Sequence, residues 1–286
     1  MKISIIIPTF NNLPYLKICI KSILKTSSDQ NEILVHVNED SEHKTRDFLN
    51  DNNIKFSYTA KNVGLCSAIN TIAKQASFSY LIYSHDDMYF CPNWEEPLIK
   101  EIKKINHNNF YISGSMIEPN SGHIKFNCGD TIENFDEQKL LENLDKLQID
   151  DHQGSHFAPH CVHKKVWDRV GGFSEEFNPG IGSDPDFNMK LWQEGCRIFK
   201  GLNDFKVYHF GSLTTRKNKN IKQNRGDKTF HLKWGISVRF FKKHFLKSRT
   251  IYDGHLKDPN KSFSFFFDLL KCKIKFYYLK LFFKRY

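Results

Sequence analysis

Four short apolar runs, separated by segments of helical period, open the chain. Ile3 to Ile7 is fully apolar and β-branched, and Glu32 to Val37, Ile54 to Tyr58 and Tyr80 to Tyr83 follow. Apolar runs of this length with polar flanks predict buried strands. Between the first two runs, Leu13, Leu16, Ile20, Ile23 and Leu24 recur at helical spacing to about Lys25, with Pro14 suited to the first turn. A short polar helix precedes the third strand. After the Asn62-Val63-Gly64 turn, Leu65, Ile69, Ile72, Ala73 and Ala76 mark one face of another helix. Strands alternating with helices predict βαβ units and a mostly parallel sheet.

The second half is less regular. Asn93, three residues before Glu96, has the spacing of a capping box for a helix with Trp94, Leu98, Ile102 and Ile105 inward. Phe110 to Ile117 predicts a strand. Leu140, Leu141, Leu144 and Leu147 predict a helix, and Ser155 to Val162 an extended segment. Lys164 to Val170 reads as a short helix stopped by Gly171-Gly172. Asp184-Pro185-Asp186 opens a helix with Phe187, Leu191 and Trp192 inward and Gly195 as its stop. Arg197 to Phe199 and Phe205 to His209 predict two short strands.

Composition sets broad limits. The 286 residues suffice for one large α/β domain, or a domain with an appendage. No run of eighteen apolar residues occurs, so no transmembrane span is expected. The apolar start at Met1 is too short for a signal peptide and reads as the first strand. Seven scattered cysteines without a Cys-x-x-Cys pair suit buried thiols in a reducing cytoplasm. Charge is uneven: Leu213 to Tyr286 holds 20 Lys+Arg against 4 Asp+Glu, whereas residues 1–212 hold 22 against 28. A mildly acidic body argues against a nucleic-acid partner for the main domain. The split suggests a main domain at 1–212. A basic, aromatic-rich extension follows at 213–286.

The strand Tyr80 to Tyr83 runs directly into His85-Asp86-Asp87. Open α/β sheets bind ligands beyond the carboxyl ends of their strands. Two carboxylates there repel unless a cation lies between them or one is protonated. A hard divalent ion carrying substrate phosphates is one explanation, and a solvated turn is the other. Pro8-Thr9 and Asn38 to Ser41 end the first two strands, so they can share a pocket with Asp86. Asn38 or Asp40 can hydrogen-bond a base edge or ribose, or serve only turn chemistry. His152, His156, His160, Cys161 and His163 form a dense group, but their spacing matches no standard zinc pattern, and they read as loop and strand residues near an acceptor.

Taken together, several segments resemble the family 2 glycosyltransferases of GT-A fold. They are Ser4-Ile5-Ile6-Ile7-Pro8-Thr9-Phe10-Asn11, Asn38-Glu39-Asp40-Ser41, Asn62-Val63-Gly64 and His85-Asp86-Asp87. Further on, Val170-Gly171-Gly172-Phe173-Ser174-Glu175-Glu176-Phe177 and Gly182-Ser183-Asp184-Pro185-Asp186-Phe187 continue the likeness in the family's order. The resemblance implies an α/β Rossmann-like, mostly parallel sheet flanked by helices, and makes 1–212 the catalytic domain, with a nucleotide-sugar half over about 1–117 and an acceptor half over about 118–212. It implies that Pro8, Thr9 and Asn38 line the nucleotide pocket of a sugar donor and that Asp86 contacts the ribose. It makes Asp87 a ligand of Mn²⁺ or Mg²⁺, His209 a last ligand to metal or diphosphate, and Asp184 the general base, with Asp186 the alternative. Asn38 stands where the family usually has Asp, and Ser183 where it usually has Glu.

The expected function is therefore metal-dependent, inverting glycosyl transfer from a nucleotide-diphosphate donor to a glycan or lipid-linked acceptor in surface polysaccharide synthesis. The alternative is an inactive GT-A domain that binds sugar nucleotides or glycans within an assembly complex; the retained Asp87, Asp184 and Asp186 speak against it. Ser262 to Tyr286 mixes aromatics with lysines around one acid, Asp268. As a helix it places Phe266, Leu269, Leu270, Ile274, Tyr277, Tyr278, Leu281 and Phe282 on one broad face, with Lys271, Lys275 and Lys284 toward the other side or the edges. That pattern suits a helix in the interface of an anionic membrane, which would make the enzyme peripheral to the inner face of a membrane. A helix docked on the domain with solvated lysines is the competing reading.

Overall fold

The computed structural model describes residues 1–28, 30–211 and 225–282. Strands β1 (Ile3–Thr9), β2 (Glu32–Asn38), β3 (Lys55–Thr59) and β4 (Tyr80–Tyr83) lie in the order β3-β2-β1-β4, all parallel. Helices α1 (Leu13–Thr26), α2 (Lys44–Asp51) and α3 (Leu65–Ala73) connect them. Every residue of β1 is buried. A parallel strand covered on both faces must be apolar throughout, and each isoleucine so buried contributes about 2 kcal/mol. Helix α1 buries Tyr15, Leu16, Cys19, Ile20 and Ile23, largely the face its periodicity predicts. The chain builds outward from β1 to β3, then returns to β4 on the other side of β1. That reversal opens a crevice beyond the carboxyl ends of β1 and β4.

After Ser84–Asp87 the chain leaves β4 for the far edge. There β5 (Met88–Phe90) pairs antiparallel with β10 (Phe199–His209). Between β4 and β10 lie β9 (His160–His163), antiparallel to both its neighbours, and β6 (Tyr111–Glu118), parallel to β10. Short strands β7 (Ile124–Lys125) and β8 (His152–Gln153) complete a ten-stranded, mostly parallel sheet flanked by helices.

Three local expectations are corrected. Asn93 adopts a left-handed backbone (φ 64°) and caps nothing. Helix α4 (Glu95–Ile105) begins with Glu95, which accepts hydrogen bonds from Ser28 N and Asn31 Nδ2. The two short strands expected near the end of the sheet are one strand, β10, whose register on β6 shifts between Gly201 and Lys206. Of the extended segment from Ser155, only His160 onward pairs in the sheet. The remaining helices fall near their predicted places: α5 (Glu137–Asn143), α6 (Lys164–Val170), closed by Gly171 at φ 71°, and α7 (Ser183–Gln193).

Helices α8 (Gly226–Trp234), α9 (Val238–His244) and α10 (Phe263–Phe282) follow. Phe230, Phe240, Phe241, Leu246 and Leu256 belong to the same apolar core as the sheet. The expected boundary at residues 212 and 213 and the tail residue Lys284 lie outside the described residues. Helix α10 docks through Phe265 on the rings of Phe240 and His244, at 5.1 and 5.3 Å. Asp268 pairs with Lys243 and His244 at 2.7 and 2.9 Å. Leu269, expected on the outer face, is half-buried and packs against the core. Among the described residues no helix is long and apolar enough to cross a membrane.

Candidate active site

Strand β4 ends at the crevice and delivers His85, Asp86 and Asp87. Both carboxylates are buried, 7% and 4% exposed. Asp86 accepts hydrogen bonds from Thr9 Oγ1 at 2.6 Å and Asn12 Nδ2 at 3.0 Å, so the end of β1 and the start of α1 hold it. Burial and the neighbouring Asp87 charge push its pKa up, and the Thr9 and Asn12 donors oppose them.

The partners of Asp87 come from strand register. Because β5 starts at Met88 and pairs Met88 with His209, the next residue back, Asp87, meets His209 across the edge. Phe210 N donates to Asp87 O at 3.2 Å and extends that ladder. His209 Nε2 lies 3.3 Å from Asp87 Oδ1, and His85 Nδ1 lies 3.9 Å from the same oxygen. On the other side, β6 pairs Ile117 with Tyr208, which brings Glu118 to His209 Nδ1 at 2.5 Å. Burial alone would lower His209, but Asp87 and Glu118 outweigh it and lift the imidazole to about 10. Burial alone would raise Asp87, and the same imidazolium outweighs that and holds the carboxyl low.

The cluster fits a divalent cation. One ligand atom from each of His85, Asp87 and His209 lies within 4.8 Å of the others. His209 Nε2 is buried without a hydrogen-bond partner among the described residues, while Glu118 occupies the opposite ring nitrogen. A carboxylate on the far nitrogen is how proteins orient a ligating histidine. Two imidazoles and one carboxylate suit Mn²⁺ better than Mg²⁺, which prefers all-oxygen shells.

Asp184 and Asp186 open α7 on different sides of the helix. Asp186 is fully buried and committed: Ser174 Oγ, Trp234 Nε1 and Lys233 Nζ approach it at 2.6, 2.8 and 2.9 Å. It anchors α8 to the body, since Trp234 and Lys233 both belong to that helix. Asp184 is its opposite. Its side chain is partly exposed, yet Oδ1 is buried with no hydrogen-bond partner among the described residues. Burial lifts its pKa to about 7. Tyr83, the last residue of β4, is buried just before the Ser84–Asp87 turn, and burial raises its phenol well above the usual pKa.

The remaining predicted residues, Pro8, Asn38 and Asp40, lie at or just beyond the carboxyl ends of β1 and β2. Pro8 sits in β1 opposite His36 of β2. Asn38 Oδ1 accepts from Val63 N at 3.0 Å and Thr59 Oγ1 at 3.3 Å, which ties β2 to the loop before α3. Asp40 accepts from Arg46 N at 3.0 Å and pairs with Arg46 Nε at 3.3 Å, at the start of α2. Gly64 is required there: at φ +85° a Cβ would stand 2.4 Å from the Asn178 side chain, which accepts from Cys66 N. The histidine group disperses. His160 is stacked near Phe173 and Phe187 with Nδ1 on Tyr111 Oη at 3.0 Å, whereas His163 accepts from Lys165 N at the start of α6.

Sequence reasoning missed Asn12, His85, Glu118 and Tyr83. His85 stood in the quoted triplet and carried a usable signal, since imidazole is a metal ligand. Asn12 and Glu118 carried none, because each reads as an ordinary turn or strand-end residue.

The model of the family described as "Glycosyl transferase family 2" matches residues 4–161. An uncharacterized glycosyltransferase of Rickettsia typhi is 29% identical over 209 residues, spanning 72% of this chain and 62% of that protein. One of Rickettsia prowazekii is 28% identical over 177 residues, spanning 60% of this chain and 54% of that protein. The chain thus covers less than two thirds of the length of either relative. Among solved structures, S. aureus TarS 1–349 in complex with UDP aligns with TM-score 0.54 at 17% identity, over 73% of this chain and 60% of that one. GalNAc-T7 with UDP, GalNAc and Mn²⁺ aligns with TM-score 0.57 at 18% identity, over 79% and 45%. At these identities the structural likeness speaks for the fold.

Proposed function

Because this chain belongs to glycosyl transferase family 2, we propose that it transfers a sugar from a nucleoside-diphosphate donor to a hydroxyl acceptor, with inversion and with a divalent cation. The observation that carries the reading is a division of labour between carboxylates. Asp87 is held ionised beside two imidazoles, whereas Asp184 is left unpaired and raised to about 7. A group that must take a proton at neutral pH needs such a pKa. The uridine nucleotides held by the structural neighbours make UDP the first donor to test.

In this reading, Thr9 and Asn12 fix Asp86 toward the donor's ribose, and Pro8, Asn38 and Asp40 border its base. Asp87, His209 and His85 would hold Mn²⁺, which when bound supplies charge compensation for a departing diphosphate. Asp184 Oδ accepts the acceptor's hydroxyl proton as that oxygen bonds to the anomeric carbon and the bond to the diphosphate oxygen breaks. One direct displacement inverts the anomeric centre. Helix α10 faces a membrane in this reading, which suits a lipid-linked or surface-glycan acceptor.

A thermal-shift panel of UDP, GDP and dTDP with and without Mn²⁺ tests the proposal. One nucleotide should raise the melting temperature by about 5 °C at near-saturating concentration, and only with metal. The absence of any nucleotide-dependent shift in all six conditions would overturn it.

A further inference from the structure

A cleft of about 820 Å³ opens between α9, the Lys247–Thr250 turn and α10, and it shares no residue with the candidate active site. Arg239, Lys242, Lys243, Lys247, Arg249 and Lys275 line it, opposed by a single lining acid, Asp227. Lys243 is paired with Asp268 at 2.7 Å, and Lys247 reaches Asp253 at 3.9 Å. The other four cations form no ion pair with a described residue. Lys242 is half-buried, with its ammonium 5.4 Å from the centre of the Phe157 ring. Burial and the Arg249 cation lower its pKa and outweigh the opposing Asp227 charge. Like charges confined in this way repel, and an anion in the cleft relieves them.

The outer face of α10 borders the same cleft. At about 100° per residue, the docked side chains Phe265, Cys272 and Leu279 lie opposite Phe263, Leu270, Ile274, Tyr277 and Leu281. These outer side chains are exposed, Phe263 at 87% and Leu281 at 77%. The helix therefore has two apolar faces, and only one is covered. Lys271 and Lys275 border the open face on one side and Lys273 and Lys280 on the other, where long stems can carry the ammonium groups to headgroups. Lys275 belongs to both surfaces, so the positive cleft and the aromatic face are continuous. A second copy of this chain is a poor occupant, because it would bring the same positive charge against itself.

We propose that the cleft binds the phosphate headgroup of an anionic membrane lipid while the outer face of α10 rests in the lipid interface. This builds on the reading of α10 as membrane-facing and adds where the headgroup is held. Acidic headgroups give counter-charge to the four cations that form no ion pair with a described residue, and the interface covers the apolar face that no described residue covers.

Co-sedimentation of the full chain with phosphatidylcholine vesicles, with and without phosphatidylglycerol, tests it. Wild type should sediment only with the anionic vesicles and release as salt rises. Arg239→Gln/Lys242→Gln/Arg249→Gln should lower the partition coefficient on the order of a hundredfold, at about fivefold per cation. Its melting temperature and its shift with UDP and Mn²⁺ should match wild type, which separates a lost lipid site from a lost donor site. Should the triple variant not fold, the exposed single change Arg249→Gln carries the same test at about fivefold. Leu270→Ser/Ile274→Ser should also weaken sedimentation. If the cleft variant sediments like wild type while the α10 variant does not, the cleft assignment is overturned and the membrane-facing helix stands. Wild type that ignores both vesicle types overturns both. Saturable calorimetric binding of inorganic phosphate, lost in the cleft variant, together with no vesicle binding, assigns the cleft to a soluble phosphate and overturns the lipid. Self-association in sedimentation velocity that the α10 variant abolishes assigns the face to a second copy and overturns it as well.

Discussion

Replacing Asp184 with Asn should make the protein more stable and nearly inactive, and the pH dependence of both effects can be worked from the structure. The Asp184 carboxyl has one oxygen buried without a partner, and burial raises its pKa from 3.8 to about 7. An acid whose folded pKa is raised binds its proton more tightly in the folded state. Its stabilising contribution is complete below about pH 4, declines as pH rises, and is lost once pH passes about 7. A shift of roughly three units corresponds to about 4 kcal/mol, and partial exposure of the side chain reduces this to about 2 kcal/mol. Asn cannot ionise, so Asp184→Asn should gain about 2 kcal/mol on wild type between about pH 4 and pH 8. Urea unfolding at both pH values, with EDTA present and the slope m unchanged, measures that difference. Wild-type turnover should rise with pH to a plateau above about 7, and the variant should fall by roughly 10²–10⁴-fold and lose that limb. Parallel stability profiles for the two proteins would mean that Asp184 titrates like an exposed carboxylate. Variant turnover within about tenfold of wild type would end its role as base.

Asp87→Ala should abolish Mn²⁺-dependent nucleotide binding in calorimetry while leaving a cooperative melt; unchanged binding would remove Asp87 from the site. Glu118→Gln weakens the hold on His209 Nδ1 and should reduce Mn²⁺ affinity roughly 10–100-fold by titration, with nucleotide contacts otherwise intact. Asp186→Asn leaves Lys233 without its buried partner and should destabilise by about 2 kcal/mol in urea unfolding. Turnover by the folded Asp186→Asn variant within about tenfold of wild type would fit a supporting role for Asp186, whereas a loss as large as that of Asp184→Asn would make Asp186 the base.

Linear pattern alone determined the first four strands and the helices between them. The run Ile3 to Ile7 is apolar at every position because a central parallel strand has no wet face, and that requirement is visible in one dimension. The same holds for Leu16, Ile20 and Ile23 on α1 and for the carboxylates after Tyr83, since strand ends and helix faces are local properties. The Asn93 cap failed because Glu95 found Ser28 and Asn31, sixty-odd residues away, a more favourable arrangement than a local box. Pattern could not choose between Asp184 and Asp186, two residues apart on one helix. Trp234 and Lys233 close over Asp186 and not over Asp184, a difference in surroundings that spacing does not carry. His209, Glu118 and Asp87 meet only because β5 leaves β4 and crosses to pair with β10, and no local propensity encodes a strand's distant neighbour. The tail shows the same limit. Its sequence carries apolar residues all around the helix, and only docking against Phe240 and His231 decided which side is core and which is exposed. Short-range spacing fixes what each element is, whereas the pairing of elements distant along the chain, set by packing the whole core at once, fixes which side chains converge.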